Sequence, residues 1–246
     1  MTVSVRPLQF ADPGEAADLA AFLGRLLHYD RAAAVRLQAG GGTLAVFGRP
    51  PSFEVLAIRT ARLADDHAFD VTVSAGELLE ALGPDGSGPG AAGTAAVLPG
   101  AAGTAAVLPG AVTGPPWSGV LPPRGGWIAR PGLPSPADLG AVLKAAVAEF
   151  RTRDAALPEG RRTREERELI GRDIWSRTLG DTRLPLRAVH AAQSLGFLRR
   201  TPGFPVALLT AGPWLRLRTP YGSIALRGPD GGLGTLAVTV RRPHTH

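Results

Sequence analysis

Cysteine is absent from the 246 residues, asparagine is absent too, and lysine occurs once, as Lys144, against 26 arginines. Without cysteine there can be no disulfide, no thiolate metal site and no thiol nucleophile. The longest apolar runs, such as Val206-Ala207-Leu208-Leu209, are a few residues long, whereas a membrane-spanning helix needs roughly 20. Met1-Thr2-Val3-Ser4-Val5-Arg6 carries no charged leader with an apolar stretch behind it, so no secretory signal is read there. These absences predict a cytoplasmic protein with no membrane partner. The shortage of Lys and Asn beside abundant Ala, Gly, Pro and Arg marks the codon usage of a high-GC genome. Arginine abundance alone is therefore a poor sign of nucleic-acid binding.

Catalytic signatures are missing as well. There is no HExxH, no DxDxDG loop and no GxSxG elbow, and Gly40–Gly42 and Gly231–Gly234 fit neither a P-loop nor a dinucleotide fingerprint. His28, His67 and His190 are widely spaced, so no metal or other cofactor is expected. His28 closes a helix, where an imidazole complements the dipole.

What is present is a charge asymmetry. Residues 1–85 carry −4 and residues 120–246 carry +10, which together give the net +6. Either the basic half meets an anionic partner, or the two halves attract each other. Between them, the ten residues Pro89–Leu98 recur identically as residues 99–108, and Pro109-Gly110-Ala111 begins a third copy. Two short copies do not make a solenoid. Residues 83–116, rich in Ala, Gly and Pro, read as a flexible linker between residues 1–82 and 117–246.

The fold class expected is α+β: an antiparallel meander with two helices, then a half made of three helices and a β-hairpin. Asp12-Pro13-Gly14-Glu15 starts a helix whose Ala16, Leu19, Ala20, Leu23, Leu26 and Leu27 share a face. Strands follow near Ala33–Gln38, Thr43–Phe47, Phe53–Thr60 and Ala68–Val73, and Ser74 opens a short helix to Leu82. This β-α-β-β-β-β-α layout is similar to one half-repeat of a DNA sliding clamp, in order alone. Beyond the linker, Ser135 and Thr163 cap two helices, the second running to Gly180, and Leu184-Pro185 begins a third that ends near Gly196. Strands are expected at Pro205–Thr210, Trp214–Thr219, Ser223–Arg227 and Thr235–Val240. The Trp117–Trp127 stretch and the overall layout look like uncharacterised actinobacterial proteins, a resemblance that implies no activity.

The order helix-helix-helix-hairpin over residues 136–227 resembles a winged helix-turn-helix. Leu169, Ile170, Ile174 and Trp175 would support it, Pro185–Leu195 would be the recognition helix and Trp214–Arg227 the wing. The resemblance implies that Arg187, His190 and Gln193 face base edges, with Arg199 and Arg200 near phosphates. Two features depart from it: Gly180–Pro185 is a long turn, and the helix is Ala-rich with one Arg. Independently, strand alternation puts Trp214, Arg216 and Arg218 on one face, where they could stack a base or hold a phosphate, or form a solvated cation–π face. The expectation is a non-catalytic binding protein whose basic half contacts nucleic acid or another polyanion. A protein-interaction module, or an enzyme with a site between the halves, stands beside it.

Overall fold

The computed structural model describes residues 7–83, 105–199, 201 and 203–228. It is an α+β structure. Strand β1 (Leu8–Gln9) precedes helix α1 (Pro13–Tyr29), followed by β2 (Ala34–Gly40), β3 (Thr43–Gly48), β4 (Leu56–Arg62), β5 (Phe69–Ser74) and helix α2 (Ala75–Ala81). The second part runs β6 (Ala105–Ala106), β7 (Ile128–Arg130), α3 (Pro136–Ala155), α4 (Arg164–Trp175), α5 (Leu186–Ser194), β8 (Ala207–Ala211), β9 (Trp214–Thr219) and β10 (Gly222–Arg227). The expected strand Thr235–Val240, Arg200 and residues 84–104 of the expected linker lie outside the described residues.

Local signals placed the helices as their chemistry requires. The side chains of Asp12, Ser74, Ser135 and Thr163 accept hydrogen bonds from the backbone N–H groups of Glu15, Glu77, Asp138 and Glu166. Each satisfies an N–H that the first helical turn leaves without a partner. Helix α4 stops at Trp175 and does not reach Gly180, because Thr178 bridges back to Pro185 ahead of α5. Helix α5 ends where Gly196, at φ 75°, takes the left-handed conformation common after a helix. On α1, Leu19, Leu23 and Leu26 are buried as the spacing predicts, and Phe22 joins them.

Eight strands form one antiparallel sheet in the order β5-β2-β3-β4-β10-β9-β8-β7. Strands β2, β3 and β4 make the expected meander, but β5 returns to the far side of β2. The far edge of β4 is not free for it. There β10 pairs with β4, matching Ser223 with Ile58, Ile224 with Ala57 and Ala225 with Leu56. The two halves drawn from the sequence therefore share a sheet. Part of the expected linker is docked. Ala105 and Ala106 pair with Gln9 and Leu8, and Val112 N–H donates to Thr72 O at 2.9 Å, so residues 105–112 are docked by backbone hydrogen bonds.

Helices cover one face of this sheet. Leu19, Phe22, Val189 and Ala192 join Val35, Val46, Leu217 and Ile224 in a single core that runs through both halves. Phe22 of α1 stacks on Phe197 at 5.5 Å, and Arg25 donates to Leu195 O at 3.3 Å. Arg59 of β4, only 7% exposed, donates from Nη1 to Tyr221 O at 2.6 Å and from Nη2 to Asp18 at 2.7 Å. The turn before β10 is closed in the same place: a Cβ on Gly222, at φ 152°, would lie 2.7 Å from the Phe197 ring. The opposite face carries a smaller cluster of Phe47, Leu56, Ile58, Trp214 and Ala225, roofed by Trp117, Leu121 and Trp127. That roof is the Trp117–Trp127 strap, which begins in the single helical turn Pro116–Gly119 and is tied down where Arg36 donates to Ser118 O.

A sheet shared in this way should unfold as a unit. In urea, tryptophan emission and far-UV circular dichroism are expected to give one coincident transition. Arg59→Met should lower stability by about 1–3 kcal/mol, because it leaves the Tyr221 carbonyl without its donor. Arg62→Met, which removes an exposed guanidinium paired with Asp12 and Glu15, should leave the midpoint nearly unchanged.

Candidate functional site

A cavity of about 1060 Å³ opens where the two halves meet. One wall comes from the first half: Tyr29 at the end of α1, the single helical turn Pro51–Phe53, and Glu54. Pro50 and Pro51 hold this turn between β3 and β4. Glu54 then adopts φ 52°, the sole left-handed non-glycine conformation among the described residues. Such a conformation costs about 1 kcal/mol or more and persists where surrounding structure demands it. The other wall is α4 and α5, which contribute Arg164, Glu168, Arg172, Trp175, Arg187 and His190.

Aromatic rings run in file across the junction. Tyr29 meets Phe53 edge-on at 5.2 Å, and Phe53 meets His190 edge-on at 5.0 Å. His190 stacks on Trp175 at 4.3 Å with the planes 27° apart, and Trp175 lies 6.5 Å from Phe150 behind it. Burial lowers the pKa of His190, favouring the neutral imidazole that this apolar setting accommodates.

Beside this file stands unbalanced positive charge. Arg187 precedes His190 by one helical turn and so shares its face of α5. Its Nε is buried and has no hydrogen-bond partner among the described residues. At the rim Arg164 is paired with Glu168 at 2.7 Å, whereas Arg172 and Arg187 make no ion pair with a described carboxylate. Several nearby arginines are neutralised locally: Arg153 and Arg177 share Glu149 and Asp173, Arg161 meets Glu166 and Arg167 meets Asp154. Among the described residues, no group of three or more His, Cys, Asp or Glu stands close enough to hold a metal ion. No described helix is long and apolar enough to cross a membrane.

Residues 3–119 match a domain of unknown function (DUF8010). Residues 122–231 match another (DUF8185). No curated protein matches the chain. The boundary between the two matches falls within the strap, so the cavity has one wall in each matched region.

The site residues expected from sequence are dispersed by this architecture. Arg187 and His190 line the cavity, but α5 is a core helix on which no residue from Leu186 to Ser194 is exposed. A recognition helix needs a free polar face to enter a groove, and α5 has its apolar side chains in the main core. Gln193 is half-buried on the same helix with its Oε1 unpartnered and lies outside the cavity lining. Nor is the hairpin β9–β10 a free wing, since it forms central strands of the sheet. Of the supporting residues, Ile170 and Ile174 are buried and Leu169 is 49% exposed. Trp214, Arg216 and Arg218 share a face as alternation predicts, with Leu215 and Leu217 in the core behind them. That face is the strap side, and Trp214 is 8% exposed beneath the roof. Arg199 lies over the Tyr221 ring at 4.3 Å.

Sequence reasoning missed Tyr29, Phe53, Glu54, Arg172 and Trp175 as site residues. Pro50-Pro51-Ser52 marks a break in the chain, but nothing in the sequence says that it will meet α5.

The neutral state of His190 has a consequence for stability. Unfolded, its pKa returns to about 6.5, so between that value and the lowered folded one the unfolded chain binds more protons. Stability is then full above about pH 6.5 and falls as pH drops through that window. His190→Phe should flatten this part of the pH–stability curve, measured by urea midpoints at successive pH values. An unchanged slope would show that His190 is not the group responsible.

Proposed function

We propose that this chain is a non-catalytic binding protein whose ligand is a small anion with a flat apolar body, held in the cavity between the two matched regions. One observation carries this reading: the Arg187 guanidinium has its Nε buried without a partner beside the Tyr29–Phe53–His190–Trp175 file. A desolvated donor of this kind is costly when unmade and forms strong, charge-assisted bonds with an oxyanion. Arg172 adds a second positive charge, so with Arg164 paired to Glu168 the cavity stays net positive against the single carboxylate of Glu54, and the rings offer flat apolar surface. The cavity volume is that of a site for a cofactor-sized or drug-sized molecule. His190, stacked on Trp175 and met edge-on by Phe53, reads as wall more than as proton carrier. A cytoplasmic setting, expected from the cysteine-free sequence, goes with this reading.

Nucleic acid and other long polyanions are a weaker fit. Arg187 lies on the helix side of the sheet and Arg216 and Arg218 on the strap side, so the arginines form no common track. A protein partner is the other class the sequence leaves in view, and no feature of the cavity favours it.

Isothermal titration of 1-naphthalenesulfonate against the full chain tests the proposal, with neutral 1-naphthol as control. The sulfonate should bind saturably, and Arg187→Gln should weaken it about ten- to a hundredfold, the worth of one charge-assisted hydrogen bond. Naphthol binding should change far less. Equal sulfonate affinity in parent and variant would remove Arg187 from the site. Retarded migration of random duplex DNA at about 50 mM salt, retained in Arg187→Gln and lost in Arg216→Gln, would replace this reading with the polyanion one.

A further inference from the structure

The strap side of the sheet holds a second uncompensated arginine, remote from the cavity just described. Arg216 projects from β9 beneath the strap, with its guanidinium 5.4 Å from the Trp127 ring. Its Nε is buried and lacks a partner. No described carboxylate pairs with it. The acidic side chain on this part of the sheet, Asp70, is already held by Arg36 at 2.7 and 2.9 Å and by Gln38 at 2.9 Å. Those bonds hold its pKa below the ordinary aspartate value, the Arg36 hydrogen bond contributing most. Asp70 also feels the charge of Arg124 on the strap, whereas the charged residue beside Arg216 on β9 is another cation. Arg218 follows on the same face, and burial together with that neighbour lowers Arg216's hold on its proton, although a guanidinium stays ionised.

Arg216 lines a hollow of about 270 Å³ together with Arg124 of the strap, Gln38, Thr43 and Thr60. Two guanidiniums, two hydroxyls and an amide thus border a space large enough for an oxyanion with a small substituent. Trp127 fixes the arginine from one side, its own Nε1 donating to Pro123 O at 3.0 Å. A cation kept under cover with an empty donor, a like charge beside it and polar groups opposite lacks only its counter-ion.

We propose that this hollow is an anion site for a tetrahedral oxyanion, a phosphate either free or in a small monoester, held by Arg216 from the sheet and Arg124 from the strap. It would bind its ligand independently of the inter-half cavity. Binding would also fasten the strap, because Arg124 and Arg216 belong to segments joined on this face chiefly by apolar contacts. Charge-assisted bonds from two guanidiniums supply the affinity, and a volume of about 270 Å³ favours a small substituent.

Thermal unfolding and isothermal titration of the full chain with inorganic phosphate and with glycerol 3-phosphate test this, at ionic strength held constant with sodium chloride. The expected result is a saturable rise in Tm and a dissociation constant below about 10 mM for one of the two. The tighter of free anion and ester identifies the source. Arg216→Met should weaken that binding at least tenfold, yet in anion-free buffer its Tm should equal or exceed the parent's, since it removes an unpaired buried cation. Arg124→Gln, on the exposed strap, should weaken binding without altering the anion-free Tm, and it keeps the test valid should Arg216→Met fold poorly. Arg187→Gln should bind as the parent does. No saturable binding below 10 mM, affinity unaffected by Arg124→Gln, or affinity lost in Arg187→Gln would overturn the proposal.

Discussion

The antiparallel pairing of β4 with β10 is the contact on which the rest depends. Three residue pairs join a strand from each side of the low-complexity segment. By doing so they turn two sheet fragments into one eight-stranded sheet with a common helical layer. The pairing is secured by a buried cation. Arg59 reaches from β4 to the carbonyl at the turn before β10 and to Asp18 on α1, so strand register and helix position are set together. Phe22 against Phe197 and Arg25 against Leu195 extend the same seam. The cavity exists only because this seam brings the Pro51–Phe53 turn within reach of α5.

The opposed charges of the two halves do not drive this union. Arg36, Arg59 and Arg62 pair with acids of the first half, and Arg153, Arg161, Arg164, Arg167 and Arg177 pair with acids of the second. Among the described residues, attraction across the seam comes from apolar packing, strand pairing and arginine bonds to carbonyls. What remains of the positive excess is divided among places with different surroundings: Arg187 in the cavity, Arg199 on Tyr221, Arg216 under the strap. A net charge taken from the sequence has therefore become local electrostatics, and each arginine must be judged by what stands opposite it.

Much of the fold could be read in advance because its signals are local. Asp12, Ser74, Ser135 and Thr163 each announce a helix by an oxygen three residues ahead of an N–H, and the alternation in Trp214–Arg218 assigns both faces of β9. The meander of β2, β3 and β4 follows from the glycine turn at Gly41-Gly42 and the Pro50-Pro51 break. Partners in space are non-local and were not legible. Nothing in Leu56–Ile58 says that Ser223–Ala225 will lie beside it, and so the sheet looked like two. The same blindness explains α5. An Ala-rich helix with Arg187, His190 and Gln193 spaced along it reads as a polar face until one knows that Phe53, Trp175 and the sheet surround it. The two residues that proved to line the cavity were named for a groove-reading role, because a side chain's type is local and its neighbours are not.

An open sheet of eight strands has two borders, and each has its own guard. At β5 the chain returns along the outer side, with Ala111 bridging Val73 and Val112 bonded to Thr72, so part of that border is already occupied. At β7 the last strand is three residues long, Pro131 follows it, and Arg130 is fastened to Thr210 at 2.9 Å. A proline and a charged residue on a very short outer strand are common defences against unwanted strand addition. Association with another molecule is thereby steered away from backbone pairing and toward side-chain surfaces. The exposed Ile128, Val120 and Val112 then contribute stickiness without a template on which a foreign strand could grow.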